Sequence, residues 1–207
     1  MLVDSLKYSA LNLKKTILDN LVTVFFFLFF TVLMDLIREQ ISSTAQGAQV
    51  ILGIVDILGS SLFYALFLNS ILEITKFSTL NFFTYLRVNI LYSIFFFVGT
   101  VLLVLPGLYI LTIFFFAPVM ALEGKVHSDY FKQSRLLAKK SPWSIFGLSV
   151  IALLLMAFDF WFMGLLQAEV MSESLRYSLL LASNILVVIV NIYLFIATVF
   201  LYRKFQE

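Results

Sequence analysis

The residues of this sequence most able to do chemistry are carboxylates in or beside apolar stretches: Asp35, Asp56 and Asp159. An ionisable side chain is costly inside a membrane-spanning helix, so each one indicates a place where a solute, a proton or a lipid headgroup is handled. Ser60 follows Asp56 by one helical turn and can satisfy its carboxylate, while two asparagines share a face of a later apolar stretch. The candidate intramembrane polar site comprises Asp35, Asp56, Ser60, Asp159, Asn184 and Asn191.

Two interpretations of these polar groups stay open at this point. In the first, they converge on an outward-facing cavity. In the second, Asp35 only pairs with Arg38 in the headgroup region, and Asp159 lies where water reaches it beneath the interfacial Trp161. The two differ in whether the three carboxylates meet.

Other catalytic chemistry has little support in the sequence. The only histidine is His127 and there is no cysteine, which argues against metal sites, thiol chemistry and histidine-based triads. No glycine-rich phosphate loop is present. The 14 basic and 12 acidic residues nearly balance, so nucleic-acid binding has no electrostatic basis. We therefore predict a protein that is not an enzyme, with no catalytic, cofactor-binding or metal-binding residues.

The elements that position these residues are apolar helices. Of the 207 residues, 62% are hydrophobic and 13% are charged, and the mean hydropathy is +1.03. A bilayer core about 30 Å thick requires about 20 apolar residues of helix. We predict an all-α polytopic membrane protein in which residues 1–207 form a single integral membrane domain. Its six predicted spans are 21–37, 50–72, 88–105, 108–122, 143–166 and 177–202.

Prolines shape the third and fourth spans. A single helix over 88–122 would be about 52 Å long, too long for one crossing. We therefore predict that Pro106 and Gly107 form a tight turn between two helices of a hairpin. Pro118, inside the fourth span, predicts a kink because it frees a backbone carbonyl.

Basic residues predict the orientation of these spans. Twelve of the 14 lysines and arginines fall in four segments. These are the segment before the first span, the segment after the last span, the loop between the second and third spans, and the loop between the fourth and fifth spans. Only Arg38 and Arg176 fall on the other side. Because cytoplasmic loops carry the excess of basic residues, both termini are predicted to be cytoplasmic and the number of crossings to be even.

Amphipathic segments on the basic side predict helices that lie on the membrane. Residues 1–17 carry an apolar stripe of Leu6, Ala10, Leu13 and Ile17, and residues 79–89 form a weaker case. In residues 129–140 the basic side chains lie opposite an apolar face, which indicates a surface for anionic lipid. That candidate surface comprises Lys132, Arg135 and Lys139. The alternative is a basic loop that only sets the topology. Together these segments predict a threefold repeat of a surface helix and a helical hairpin.

The stretch LPGLYILTIFFFAPVMALEG (residues 105–124) is followed by Ser134-Arg135-Leu136 and by the apolar stretch from Trp143. A later segment reads Ser183-Asn184-Ile185 through Ile192 to Phe195. In the order of these motifs, the chain resembles the YciC-like bacterial inner-membrane proteins. It is also similar to the membrane domain fused to some glycerophosphodiester phosphodiesterases. It has no counterpart of their soluble catalytic domain. The resemblance implies a bacterial inner-membrane location and supplies no catalytic residues.

From these features we predict a noncatalytic role in organising the envelope membrane, through lipid interaction or as a scaffold for partner proteins. The expected partners are the lipid bilayer, anionic lipid, and a membrane-protein partner or a second copy of the chain. The alternative is a small transporter or channel subunit, which requires a continuous polar path. The sequence places its polar groups mainly in the outer third of the spans, with Asn191 near the centre.

Overall fold

The fold comes from a computed structural model that describes residues 1–41, 46–74, 78–102, 104–124, 129–168 and 172–206. In this part of the chain all regular structure is helical. The helices are α1 (Leu2–Asp19), α2 (Leu21–Gln40), α3 (Gln46–Ile71), α4 (Thr79–Leu102), α5 (Val104–Ile113), α6 (Ala117–Glu123), α7 (Tyr130–Ala138), α8 (Pro142–Ala168) and α9 (Glu173–Gln206).

Six segments of the described chain are long and apolar enough to cross a membrane, which confirms the predicted fold class. They are α2, α3, α4, the pair α5 and α6, α8, and α9. The third span differs from the prediction. Its helix, α4, begins at Thr79, so residues 79–89 belong to the span and are not a separate surface helix. No glycine or proline interrupts the chain between Thr79 and Val98, and the helix therefore continues unbroken. Among the described residues, a surface helix is present in the first and last of the three predicted repeat units, as α1 and α7, and not in the second.

The pair α5 and α6 returns antiparallel along α4. Near one end of this hairpin Gly99 faces Gly107, where an added Cβ would lie 3.0 Å from the opposing backbone. Further along, the Tyr92 hydroxyl donates to the Leu111 carbonyl over 3.2 Å. At the far end a Cβ on Gly124 would lie 2.5 Å from the Asn81 amide. The predicted hairpin is thus present, and Gly99 and Gly107 lie where the two backbones approach closely.

The predicted turn at Pro106 and Gly107 is wrong in position. Both residues lie in the first turn of α5, where a missing backbone N–H costs no helical hydrogen bond. Because α4 ends at Leu102 and α5 begins at Val104, Pro106 and Gly107 come after the end of α4 and not between the two helices. The predicted kink at Pro118 is instead a break at residues 114–116, and Pro118 belongs to the first turn of α6. A proline therefore lies in the first turn of each of these helices.

The N-terminal helix α1 packs across α9 at the end of the bundle that carries Arg203. The Tyr193 hydroxyl donates to the Leu6 carbonyl over 2.8 Å, and the Tyr8 ring stacks on Phe200 with 4.7 Å between centroids. Ser5 and Ser9 are buried, whereas Ala10 of the predicted stripe is exposed. The other three residues of the predicted stripe, Leu6, Leu13 and Ile17, pack against the core, so the packed face of α1 is the predicted one with Ser5 and Ser9 added at its edge. Both ends of the chain lie at this end of the bundle, which we call the basic end.

Candidate functional site

An ion-pair cluster lies at the end of the bundle opposite the basic end. One Arg38 nitrogen lies 3.2 Å from Asp35, and the other lies 2.9 Å from Asp56 of α3. The second Asp56 oxygen accepts from the Ser60 hydroxyl over 3.3 Å. The Asn184 amide of α9 donates to the remaining Asp35 oxygen over 2.9 Å. This set of five residues, the Arg38 cluster, joins α2, α3 and α9.

The structure thus brings together four residues of the predicted polar site: Asp35, Asp56, Ser60 and Asn184. Asp159 lies near enough to Asp35 and Arg38 to interact electrostatically, but it has no hydrogen bond within the described residues. Asn191 takes no part in these contacts. The Asp35–Arg38 contact expected in the second interpretation is present. Arg38 also contacts Asp56, so two of the three carboxylates come together as the first interpretation expected.

Arg38 is the residue that sequence reasoning missed as the centre of this cluster. Its spacing of three residues predicts the pair with Asp35, whereas its contact with Asp56 depends on how α2 packs against α3. A guanidinium has donors on both sides of a planar fork and can serve two carboxylates at once. Next to the cluster, Arg176 of α9 pairs with Glu39 of α2 over 2.9 Å. The arrangement can clamp three helices together by charge.

At the basic end, α7 lies against the break between α5 and α6. Ser134 is completely buried, and its hydroxyl donates to the Ile113 carbonyl over 3.1 Å. The same oxygen accepts from the Phe116 N–H over 3.1 Å. These are backbone groups that a broken helix leaves without an intrahelical partner. One side chain of the surface helix thus satisfies both sides of the break.

The predicted faces of α7 are confirmed. Ala138 is buried, and Tyr130, Phe131 and Leu137 pack against the core. The opposite face carries Lys132, Arg135 and Lys139, which are exposed. The Phe131 ring also contacts Phe114 in the break, with 5.0 Å between centroids. The apolar face of α7 is therefore packed against protein, so the basic face is the one left free to meet lipid headgroups.

A groove of about 440 Å³ lies between α5, α7 and the start of α8. Arg135 and Lys139 line it from α7, and the other lining side chains are mainly apolar. They include Leu105, Leu108, Tyr109, Trp143 and Phe146. Leu105 is 76% exposed and Trp143 is 79% exposed, so the groove opens to the surroundings of the protein. Lys132 does not line it. We call this feature the α7 groove.

The α7 groove combines two chemistries that a phospholipid requires. Its apolar side chains can pack against acyl methylenes by van der Waals contact. Its two cations can bind a phosphate, with the arginine able to hold two oxygens at once. Sequence reasoning found the cations but missed the apolar lining, for which the interfacial Trp143 was the available signal.

The remaining predictions concern His127 and metal binding. His127 lies outside the described residues. The described residues contain no group of three or more histidine, aspartate or glutamate side chains arranged to hold a metal ion.

No protein-family model, curated protein or solved structure matches this chain. The resemblance to YciC-like proteins stays a prediction.

Proposed function

We propose that this protein is a noncatalytic membrane protein that binds anionic phospholipid in the α7 groove and so organises the lipid around it. The observation that carries the proposal is the position of Arg135 and Lys139 along an otherwise apolar groove. A pocket of that kind fits an amphiphile with a negative headgroup better than a polar solute.

The basic end would face the cytoplasm, where the excess of lysine and arginine is expected. Anionic lipids give the cytoplasmic leaflet a negative surface potential, and each nearby cation is worth about 1 kcal/mol of attraction. With the resemblance described above, this supports a location in a bacterial inner membrane with both termini cytoplasmic. A membrane-protein partner or a second copy would join at the exposed helix faces.

The alternative of a transporter or channel subunit has less support. Both oxygens of Asp35 and of Asp56 are already engaged within the Arg38 cluster. A carboxylate held by an arginine on a neighbouring helix is poorly placed to exchange a solute.

The test compares the double variant Arg135→Gln, Lys139→Gln with the single variant Lys132→Gln. All three cations lie on the exposed face of α7, but only the first two line the groove. The proteins are purified from nanodiscs of equal phosphatidylglycerol and phosphatidylcholine, and bound lipid is counted by native mass spectrometry. We expect the double variant to retain at least about thirtyfold less phosphatidylglycerol, because each of the two charged contacts contributes about 1 kcal/mol or more. Lys132→Gln should retain the wild-type amount.

Equal loss in the Lys132→Gln variant would show a diffuse basic surface instead of a groove site. Unchanged retention in the double variant would leave the proposal without its headgroup contacts and contradict it.

A further inference from the structure

A second cavity at the basic end has a different chemistry from the α7 groove. It measures about 500 Å³ and lies between α1, the end of α3 and the end of α9. Its floor is apolar and includes Ile196 and Val199, whereas its walls carry charged and hydrogen-bonding side chains. We call it the α1 pocket. Its size is within the range of pockets that hold small molecules or lipid headgroups.

Two of the charged residues in the α1 pocket form an ion pair with each other. Arg203 of α9 lies 3.6 Å from Glu73, and it donates to the Ile71 carbonyl over 3.3 Å. These contacts join the end of α3 to α9. Because the charges of Arg203 and Glu73 cancel, the other ionisable side chains set the net charge of the pocket.

Three charged side chains of the α1 pocket are available to a ligand. Lys15 and Asp19 of α1 have no ion pair within 4.0 Å among the described residues. The Nζ atom of Lys204, on α9, lies over the Phe200 ring, 5.8 Å from the ring centroid. Lys15 and Asp19 are one helical turn apart and therefore share a face of α1. The lining of the pocket thus includes two lysines and a carboxylate.

This pattern of charge matches a zwitterion. A phosphate would be held by the two lysines, and a primary ammonium would donate hydrogen bonds to the Asp19 carboxylate. The α7 groove differs because Arg135 and Lys139 are its only charged lining residues. The apolar floor of the α1 pocket, close to the ends of three helices, suits the glycerol side of a lipid at the membrane boundary.

We propose that the α1 pocket binds the headgroup of an aminophospholipid, with Lys15 and Lys204 on the phosphate and Asp19 on the ammonium. This site does not depend on the α7 groove. The protein then distinguishes two lipid classes at two places, an anionic lipid by cations alone and a zwitterionic lipid by both signs of charge.

The test uses nanodiscs that contain equal phosphatidylethanolamine and phosphatidylcholine, with bound lipid quantified by native mass spectrometry. Both lipids carry the phosphate, but the trimethylated ammonium of phosphatidylcholine cannot donate hydrogen bonds. We expect the wild type to retain phosphatidylethanolamine in preference. Asp19→Asn should lower that preference by about tenfold, because it removes a hydrogen bond between charged partners. Lys15→Gln should reduce retention of both lipids by a similar factor.

Matched controls separate the pocket from the general charge of α1. Lys14→Gln removes the neighbouring lysine, which does not line the pocket, and should leave retention of both lipids unchanged. Equal loss in Lys14→Gln and Lys15→Gln would overturn the proposal, as would an unchanged preference in Asp19→Asn. The Arg135→Gln, Lys139→Gln variant should keep its phosphatidylethanolamine, so failure at one site is distinguishable from failure at the other.

Discussion

Arg38 determines whether the neighbouring carboxylates repel each other or hold helices together. Without it, Asp35 and Asp56 would be two like charges on adjacent helices, with a third carboxylate, Asp159, close by. With it, the two carboxylates hold α2 against α3, and the Asn184 amide adds α9. The cluster is partly exposed, so water weakens each ion pair relative to a fully buried one.

Replacing Arg38 is expected to destabilise the protein more than replacing Asp56. Arg38→Gln leaves two carboxylates without a cation and should cost about 1 to 2 kcal/mol, whereas Asp56→Asn should cost less than about 1 kcal/mol. The measurement is thermal unfolding in detergent for both single variants and the double variant. A coupling energy of about 0.5 to 1.5 kcal/mol is expected from the cycle. Additive effects would show that the ion pair contributes nothing to stability.

Sequence reasoning could find the residues of this cluster but not their assembly. Asp35 and Arg38 are predictable as a pair because their spacing along one helix fixes their distance. Asp56 and Asn184 come from other helices, and their distance depends on helix rotation, which apolar helices with weak amphipathicity do not encode. Asp159 illustrates the same limit, since its depth resembles that of Asp56 while its hydrogen bonding differs.

Among the helices, α7 has a structural role in addition to its surface position. Its amphipathic pattern correctly predicted which face is buried, and the structure shows that this face meets the break between α5 and α6. Periodicity identifies a buried face but carries no information about what covers it. The same holds for α1, whose buried Ser5 and Ser9 a purely apolar pattern could not find.

Ser134→Ala should destabilise the protein by about 2 to 4 kcal/mol, because it leaves the Ile113 carbonyl and the Phe116 N–H without their partner. The matched control is Ser9→Ala, which removes an equally buried hydroxyl. The Ser9 hydroxyl donates to the Ser5 carbonyl four residues before it, a group that the helix already satisfies. That control should cost less than about 1 kcal/mol. Both are measured as shifts in the unfolding midpoint, and equal shifts would contradict a special role for Ser134.

For the whole molecule, six helical segments of suitable length agree with an even number of crossings, and contacts between α1 and α9 place both chain ends together. Composition and apolar length were sufficient to predict this much, since both follow from the thickness of a bilayer. The exact turn at the tip of the hairpin was not predictable, because proline suits the first turn of a helix as well as a turn between helices.

Because the chain has no cysteine, single cysteines report its sidedness without background labelling. We expect Lys14→Cys and Gln206→Cys to be protected from a membrane-impermeant maleimide in intact cells and labelled after lysis. Ser174→Cys, near the start of α9 at the other end of the bundle, should be labelled in intact cells. All three positions are exposed. Labelling of Lys14→Cys and Ser174→Cys from the same side would contradict the predicted crossings.

The packing of α1 on α9 also sets an order of events during synthesis. The Leu6 carbonyl and the Tyr193 hydroxyl that bonds to it are 187 residues apart in the chain. At about 5 to 20 residues per second, the ribosome delivers the second partner about 10 to 40 s after the first. Through that interval Leu6 and Tyr8 of α1 have no partners on α9. The packing of α1 is therefore complete only after α9 has been made, and nascent chains that stop short of α9 would leave α1 exposed to chaperones and proteases.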